Sequence, residues 1–508
     1  MKKPWRYLLL IGILCLLTYV RGLPSPFVAE DFSLIAFSSL DFGKIWELSL
    51  TATRVRPLLL YLGWLLYQMF GVVPVGHRLF VLILHVLNTM LVFFFGKSLG
   101  KDERVGLVAS LLFSIYPRHH QSVLWLAASQ YVIAATFMLA GLLCFDAYLR
   151  RRTAWLQVMC FLSLCLAVAG NEVGIVMIPL LFLIEVVSWQ FRQRGWRNLL
   201  HARVYLKYLP YLVFLIVYVV ATFGQGRLSK LGLASETPEA AEGWKYDTYH
   251  LTVGPSTVKD LVVYLIYLVY PQIPLRSLDI GLVTGLLSVL TLSFLFFLLV
   301  KGKSAVRFAL LWMSLTLMPY VLFVPFGNAD RYFYISAIGV SLLGGLLGCW
   351  VYDRLRARFT STAQVVAIFA VGVYLISSAM IVQQRIDEWR HAGEIAADVI
   401  EQTKRLYPSI PAGSTMLFVG LPDQYKQAYV FLGGGIGGAM DLAYRGQPSS
   451  PMAYQTRDPL VVSFLKEARV VDRPVRGLYV FLYEDGVLFD KTDAVDSLEP
   501  LQRGTWFR

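Results

Sequence analysis

The sequence predicts an all-α polytopic membrane protein of about eleven transmembrane helices with a small C-terminal α/β extracytoplasmic domain. Three observations carry this. Of 508 residues, 57 % are hydrophobic and 16 % charged, against roughly 45–50 % and about 25 % in soluble domains. Apolar runs of about 20 residues recur through positions 1–384. From 385 to 508 Gly, Pro and charged residues return, and no such run remains. The same numbers exclude a soluble enzyme, a disordered chain and a collagen-like scaffold. The 5 cysteines lie in apolar runs without a C-x-x-C pair, so they read as buried small hydrophobes.

The first run, Tyr7–Val20, follows Lys2, Lys3 and Arg6. No small-x-small cleavage site succeeds it, so a retained signal anchor is expected. Further spans are expected near 79–96, 105–116, 130–148, 154–169, 173–190, 206–223, 280–300, 306–325, 333–351 and 364–382. Leu261–Tyr270 is too short and ends at Pro271, which predicts an interfacial or re-entrant segment. Basic clusters then fall on alternate loops: Lys97/Lys101/Arg104, Arg150–Arg152, Arg192/Arg194/Arg197, Lys301/Lys303/Arg307 and Arg354/Arg356/Arg358. By the positive-inside rule that side is cytoplasmic. Much of the +13 net charge therefore records orientation, and no nucleic-acid module is present. The tail predicts an amphipathic helix over Glu394–Leu406, a strand over Thr415–Gly420 and a hairpin turning at Asp485-Gly486. The Gly433–Gly438 run lacks a dinucleotide-binding context and reads as a flexible loop.

The opposite face collects the polar candidates. Glu30 and Asp31 follow the first span. Such a pair can take a proton from a hydroxyl or hold a divalent cation, and it suits a helix start equally well. Arg54 and Arg56 can bind phosphate or snorkel at the interface. His119 and His120 can bind a phosphate, relay a proton or ligate metal. Glu172 and the Asp330-Arg331-Tyr332-Phe-Tyr334 run stand at the ends of spans. His85 and Asn88 read as packing polars inside a span.

The run Arg56-Pro57-Leu58, then His85 and Asn88, Tyr116-Pro-Arg-His119-His120-Gln121, Asn171-Glu172 and Ala329-Asp330-Arg331-Tyr332-Phe-Tyr334 resembles the GT-C integral-membrane glycosyltransferases. Within them it is similar to the O-mannosyltransferases that carry TPR repeats and to their bacterial relatives, over about residues 20–385. No TPR array follows here. Gln121 stands where the family has an acid, and Asn171 where it has Lys. The resemblance implies a GT-C-like fold and a polyprenyl-phosphate sugar donor. It also implies an acidic base in the first extracytoplasmic loop, which maps to Asp31 with Glu30 beside it.

The expected activity is transfer of a hexose or pentose from polyprenyl phosphate to a hydroxyl of a glycan, glycolipid or protein. Arg331, Arg56, Arg54, His119 and His120 are the candidates for the lipid phosphate. Glu172, Asp330, Tyr332, Tyr334, His85 and Gln121 would support them. A divalent cation (Mg or Mn) on Glu30 and Asp31 is the one cofactor considered. A bacterial inner-membrane location with a cytoplasmic N-terminus is expected. A lipid-linked glycan transporter or flippase, or a glycan polymerase or ligase, stays open as an alternative.

Overall fold

The computed structural model describes residues 5–51, 56–187, 205–223, 254–273, 282–323, 329–411, 413–432, 434–445, 451–456 and 477–492. The Arg192/Arg194/Arg197 cluster, Arg54 and Gly433 lie outside them. Among the described residues six helices are long and apolar enough to cross a membrane, and four more are apolar but shorter.

The chain enters through α1 (Trp5–Tyr19). Three helices, α2 (Asp31–Ser38), α3 (Phe42–Thr51) and α4 (Pro57–Phe70), make the first loop. The 27-residue α5 (Pro74–Gly100) starts with Pro at its first turn, where the missing N–H costs nothing. The run expected to span at 105–116 forms α6 (Glu103–Ser114), 12 residues long. At 1.5 Å per residue that is about 18 Å, short of the roughly 30 Å hydrocarbon core. After α7 (His120–Leu124) come α8 (Gln130–Arg151), α9 (Ala154–Gly170), α10 (Met177–Val187) and α11 (Leu209–Phe223). The Leu261–Tyr270 segment belongs to the 15-residue α12 (Pro255–Val269). The bundle closes with α13 (Leu282–Lys301), α14 (Ser304–Phe323), α15 (Phe333–Arg356) and the 47-residue α16 (Thr360–Leu406).

Close packing of α5, α6 and α15 rests on glycine. A Cβ on Gly106 would stand 2.4 Å from the Phe93 carbonyl oxygen, and one on Gly345 2.6 Å from that of Val105. Small residues are what let helices approach this closely without a hydrophobic drive from lipid.

Three of the basic clusters, around Lys97–Arg104, Arg150–Arg152 and Arg354–Arg358, are linked at one end of the bundle. Asp146 accepts from Ser98 and from Arg150 at 2.5 Å each, and Arg104 pairs with Asp353 at 2.6 Å. The acids of the first loop lie at the other end, against the first turn of α5.

The expected tail helix is not separate. No Pro interrupts 373–406, and the single Gly393 does not break the helix, so the last span continues into the amphipathic turns and the 384/385 boundary falls inside α16. Beyond it, β1 (Thr415–Val419), β4 (Met452–Thr456), β5 (Leu478–Glu484) and β6 (Val487–Asp490) form a sheet of order β4-β1-β5-β6. β1 pairs parallel with both neighbours, and β5–β6 is the expected hairpin. Its Asp485 and Gly486 take φ of 47° and 86°, the two positive values of a type I′ turn. A two-stranded β2 (Gln424–Tyr425) and β3 (Ala428–Tyr429) precede α17 (Gly435–Ala443). The Gly-rich run is thus a helix start rather than a flexible loop. Gly435 and Gly438 within it meet backbone where no side chain fits, as shown below.

Candidate active site

The site grows from the turn that joins α1 to α2. Ala29 adopts φ of 48°, a left-handed conformation that an alanine holds only under constraint. Its N–H donates to the Val430 carbonyl at 2.9 Å. This turn sends Glu30 and Asp31 in different directions.

Asp31 is fully buried. Its Oδ1 accepts from the Ala127 N–H at 2.9 Å, and its Oδ2 accepts from the Val28 N–H at 3.5 Å and faces Arg78 Nη2 at 3.8 Å. Arg78 is also buried. It donates to the Leu124 carbonyl at 2.8 Å, to the Pro26 carbonyl at 2.7 Å and to the Ser25 carbonyl. One guanidinium therefore ties the acid loop to the α7 turn, and Asp31 balances its charge. Glu30 occupies the position before α2 without capping it. Its Oε2 is buried and has no hydrogen-bond partner among the described residues. Burial pushes both carboxyls up to about 7, while Arg331 pulls Glu30 down and Arg78 pulls Asp31 down.

Facing Glu30 is Arg331, in the helical turn Asp330–Tyr332 ahead of α15. Gln121 Oε1 accepts from its backbone N–H at 2.8 Å and from Nη1 at 3.4 Å; Nη2 donates to the Tyr332 hydroxyl at 3.3 Å. The guanidinium lies over the rings of Trp125 and Tyr332, at 4.9 and 4.8 Å. Among the described residues no carboxylate comes within 4.0 Å of it. Tyr320 stacks on Tyr332 at 4.5 Å, and Tyr131 lies 6.1 Å from Tyr332. The Tyr320 hydroxyl and Trp125 Nε1 are buried without a hydrogen-bond partner among the described residues. Beyond Tyr320, Arg56 holds Glu172 through two bonds of 3.0 and 3.1 Å. The site is thus a cation with aromatic walls, one free carboxylate oxygen and two unused O–H or N–H groups.

The other expected residues sit apart from it. Asp330 pairs with Arg118 at 2.6 Å and lies 3.4 Å from His120 Nε2. Arg118 also donates to the carbonyls of Tyr267 and Ile273, which pins α12 to the bundle. His119 is enclosed by the rings of Phe113, Tyr334 and Tyr116. Burial holds both histidines below the ordinary imidazole range, so neither offers a cation to a phosphate. His85 bonds the Tyr334 hydroxyl at 2.8 Å and the Ser114 carbonyl at 2.9 Å, and Asn88 bonds Val132 and Tyr334. Both side chains are thereby engaged inside the bundle. A groove of about 840 Å³ along α16, lined by Gln383, Asp387, His391 and Tyr425, holds none of the expected site residues.

A divalent cation does not fit the acid pair. Both Asp31 oxygens are engaged, and a guanidinium stands beside them, which leaves Glu30 as the one available ligand. Among the described residues no three His, Cys, Asp or Glu side chains converge as metal ligands.

Sequence reasoning missed Arg78, Trp125 as the bed of Arg331, and Tyr320. A cation at the first turn of an apolar helix, one residue past the loop, was the available signal for Arg78.

No protein-family model matches the chain. It is 22 % identical over 200 residues to a protein O-mannosyl-transferase of Caenorhabditis elegans, a stretch covering 36 % of this chain and 28 % of that protein. Among solved structures it is similar to the oligosaccharyltransferase AglB of Archaeoglobus fulgidus in complex with an inhibitory peptide and a dolichol-phosphate. There the TM-score is 0.53 at 12 % identity, over 94 % of this chain and 69 % of that one. It is also similar to ArnT of Cupriavidus metallidurans, with TM-score 0.50 at 14 % identity over 97 % and 94 % of the two chains. The same enzyme bound to undecaprenyl phosphate gives 0.50 at 13 % identity over 98 % and 95 %. Apolar spans and these likenesses agree: the chain is an integral membrane protein that shares the fold of these solved structures.

Proposed function

We propose that the protein transfers a sugar from a polyprenyl-phosphate donor to an acceptor hydroxyl at the extracytoplasmic membrane face. The observation that carries this is the pairing of Arg331, a half-buried guanidinium without a carboxylate partner among the described residues, with the free Oε2 of Glu30. A cation so shielded from water calls for an anion, and a lipid phosphate entering from the bilayer supplies one. The solved neighbours bound to dolichol-phosphate and undecaprenyl phosphate support that choice. The basic clusters at the opposite end support the extracytoplasmic placement.

The chemistry follows the geometry. The acceptor hydroxyl gives its proton to a first-loop carboxylate, and its oxygen attacks the anomeric carbon. The bond from that carbon to the phosphate oxygen breaks with inversion. The departing phosphate keeps the electron pair, and Arg331 stabilises it, with the Tyr320 hydroxyl and Trp125 Nε1 as further donors. Of the two carboxylates, the geometry favours Glu30 for the proton, because its Oε2 is uncommitted. Asp31, the base implied by the family resemblance, then anchors Arg78 behind it. Arg56, held by Glu172, flanks the aromatic wall and places a second cation near the phosphate.

Binding tests the reading. Undecaprenyl phosphate titrated into the full chain in nanodiscs should quench tryptophan emission, because Trp125 lies under Arg331. Arg331→Ala should weaken that binding by at least about tenfold, as expected for loss of a charge-assisted contact of about 1.5–3 kcal/mol. Equal affinity for both proteins would remove Arg331 as the phosphate ligand.

A further inference from the structure

The Gly-rich segment of the tail packs against the acid loop, more than 390 positions away in sequence, and does so through backbone. A Cβ on Gly435 would stand 2.6 Å from the Ala29 carbonyl oxygen and 2.9 Å from its carbon; one on Gly438 would stand 2.4 Å from the Ser33 nitrogen and 2.7 Å from the Phe32 carbonyl carbon. These two approaches bracket Glu30 and Asp31. Between them, the Ala29 N–H donates to the Val430 carbonyl at 2.9 Å, and the Ser33 hydroxyl donates to the Gly434 carbonyl at 2.8 Å. Phe32 stacks on Phe431 at 6.3 Å. At the far end of α2, Arg445 of the tail donates to the hydroxyls of Ser39 and Tyr67.

We propose that Val430, Phe431 and the Gly434–Gly438 turn form a clamp that positions the first-loop carboxylates for transfer, with Gly435 and Gly438 as its positioning residues. The inference rests on the function proposed above. Ala29 is strained at φ of 48°, and such a conformation persists only where its surroundings over-determine it. The clamp supplies that constraint: one hydrogen bond to Ala29, and two contacts that accept only a hydrogen in place of a side chain. It also closes the loop from water. The tail domain is therefore part of the active site's frame, and it reaches the site itself, since Tyr429 lies 5.2 Å from Trp125. Arg78 of α5 and Arg331 ahead of α15 are the charged groups facing the carboxylates, and Tyr429 is the titratable group on the tail side. None of the test substitutions alters them.

The test is sugar transfer against pH by the full chain in nanodiscs, for wild type, Gly438→Ala and Ser33→Ala, with Glu30→Gln as reference. Size exclusion and thermal melting report the folded fraction of each. Displacing the loop by about 1 Å should lower kcat for Gly438→Ala by about ten- to a hundredfold, with donor KM within about twofold. Hydration of the loosened loop should move the acid limb of the profile from about 7 toward the ordinary carboxylate value of about 4. Ser33→Ala, which removes a hydrogen bond without a clash, should move both quantities less and in the same direction. If Gly438→Ala yields no folded protein, Ser33→Ala decides. Wild-type kcat and acid limb in the folded variants overturn the clamp, as does a loss that tracks folded fraction with the limb unmoved. Glu30→Gln separates the two claims: its full activity overturns the base assignment, whereas its inactivity beside an active, unshifted Gly438→Ala overturns the clamp alone.

Discussion

Replacing Arg78 by Met keeps the stem's volume and removes four roles at once. The carbonyls of Leu124, Pro26 and Ser25 lose their donor, and Asp31 loses its cation. Breaking a buried pair by deleting one partner costs about 3–5 kcal/mol, and we expect Arg78→Met to fall in that range at pH 8. The cost depends on pH with a defined sign. Asp31 is raised to about 7 in the folded protein and stands near about 4 unfolded. Below pH 7 it is protonated in wild type and variant alike, so only the lost hydrogen bonds are felt. Above pH 7 wild type ionises against Arg78 while the variant resists, and the difference grows by about 1.4 kcal/mol per unit. Unfolding by SDS in mixed micelles, followed by tryptophan fluorescence at pH 6 and pH 8, measures both. In an Asp31→Asn background the cost of Arg78→Met should lose this pH dependence, because Asp31 no longer titrates and Glu30 contributes equally to both proteins. A cost below about 1 kcal/mol, or one equal at the two pH values, would refute the coupling of Asp31 to Arg78.

Two further outcomes are expected. Transfer activity should fall about tenfold per unit as pH drops below about 7, because a base works only when ionised and Glu30 is raised to about 7; a profile flat from pH 5 to 8 would exclude both carboxylates. Arg331→Lys keeps the charge but loses the planar stack on Trp125 and Tyr332, so its affinity for undecaprenyl phosphate should lie between wild type and Arg331→Ala. Wild-type affinity would leave the stack without a role in binding.

Much of this was legible because the signals are local. Hydropathy over 20 residues marks α5, α8, α14 and α15, and basic clusters mark their common end. Glu30, Asp31 and Arg331 stand out as charges beside apolar runs. What escaped depends on contacts between distant positions. Arg78 meets carbonyls 46 to 53 residues away, and a carbonyl acceptor leaves no trace in side-chain chemistry. Asp330 was read with its neighbour Arg331 but pairs with Arg118, 212 positions earlier. Gly435 and Gly438 looked like a flexible run because the backbone that forbids their side chains belongs to Ala29 and Ser33. The fusion of the last span with the tail helix had a readable sign, the lack of any proline between Val373 and Leu406. A change from apolar to amphipathic pattern is not itself a helix end.

The central claim is that Glu30 and Arg331 face each other across a lipid-phosphate sugar. Its most direct test is release of undecaprenyl phosphate from a panel of sugar-labelled undecaprenyl-phosphate donors by the reconstituted full chain with glycan acceptors. The account predicts that the wild type passes the label from at least one donor to acceptor, that Glu30→Gln transfers none, and that Glu30→Gln still binds undecaprenyl phosphate. Equal transfer by Glu30→Gln, or no transfer by wild type from any donor it binds, would contradict it.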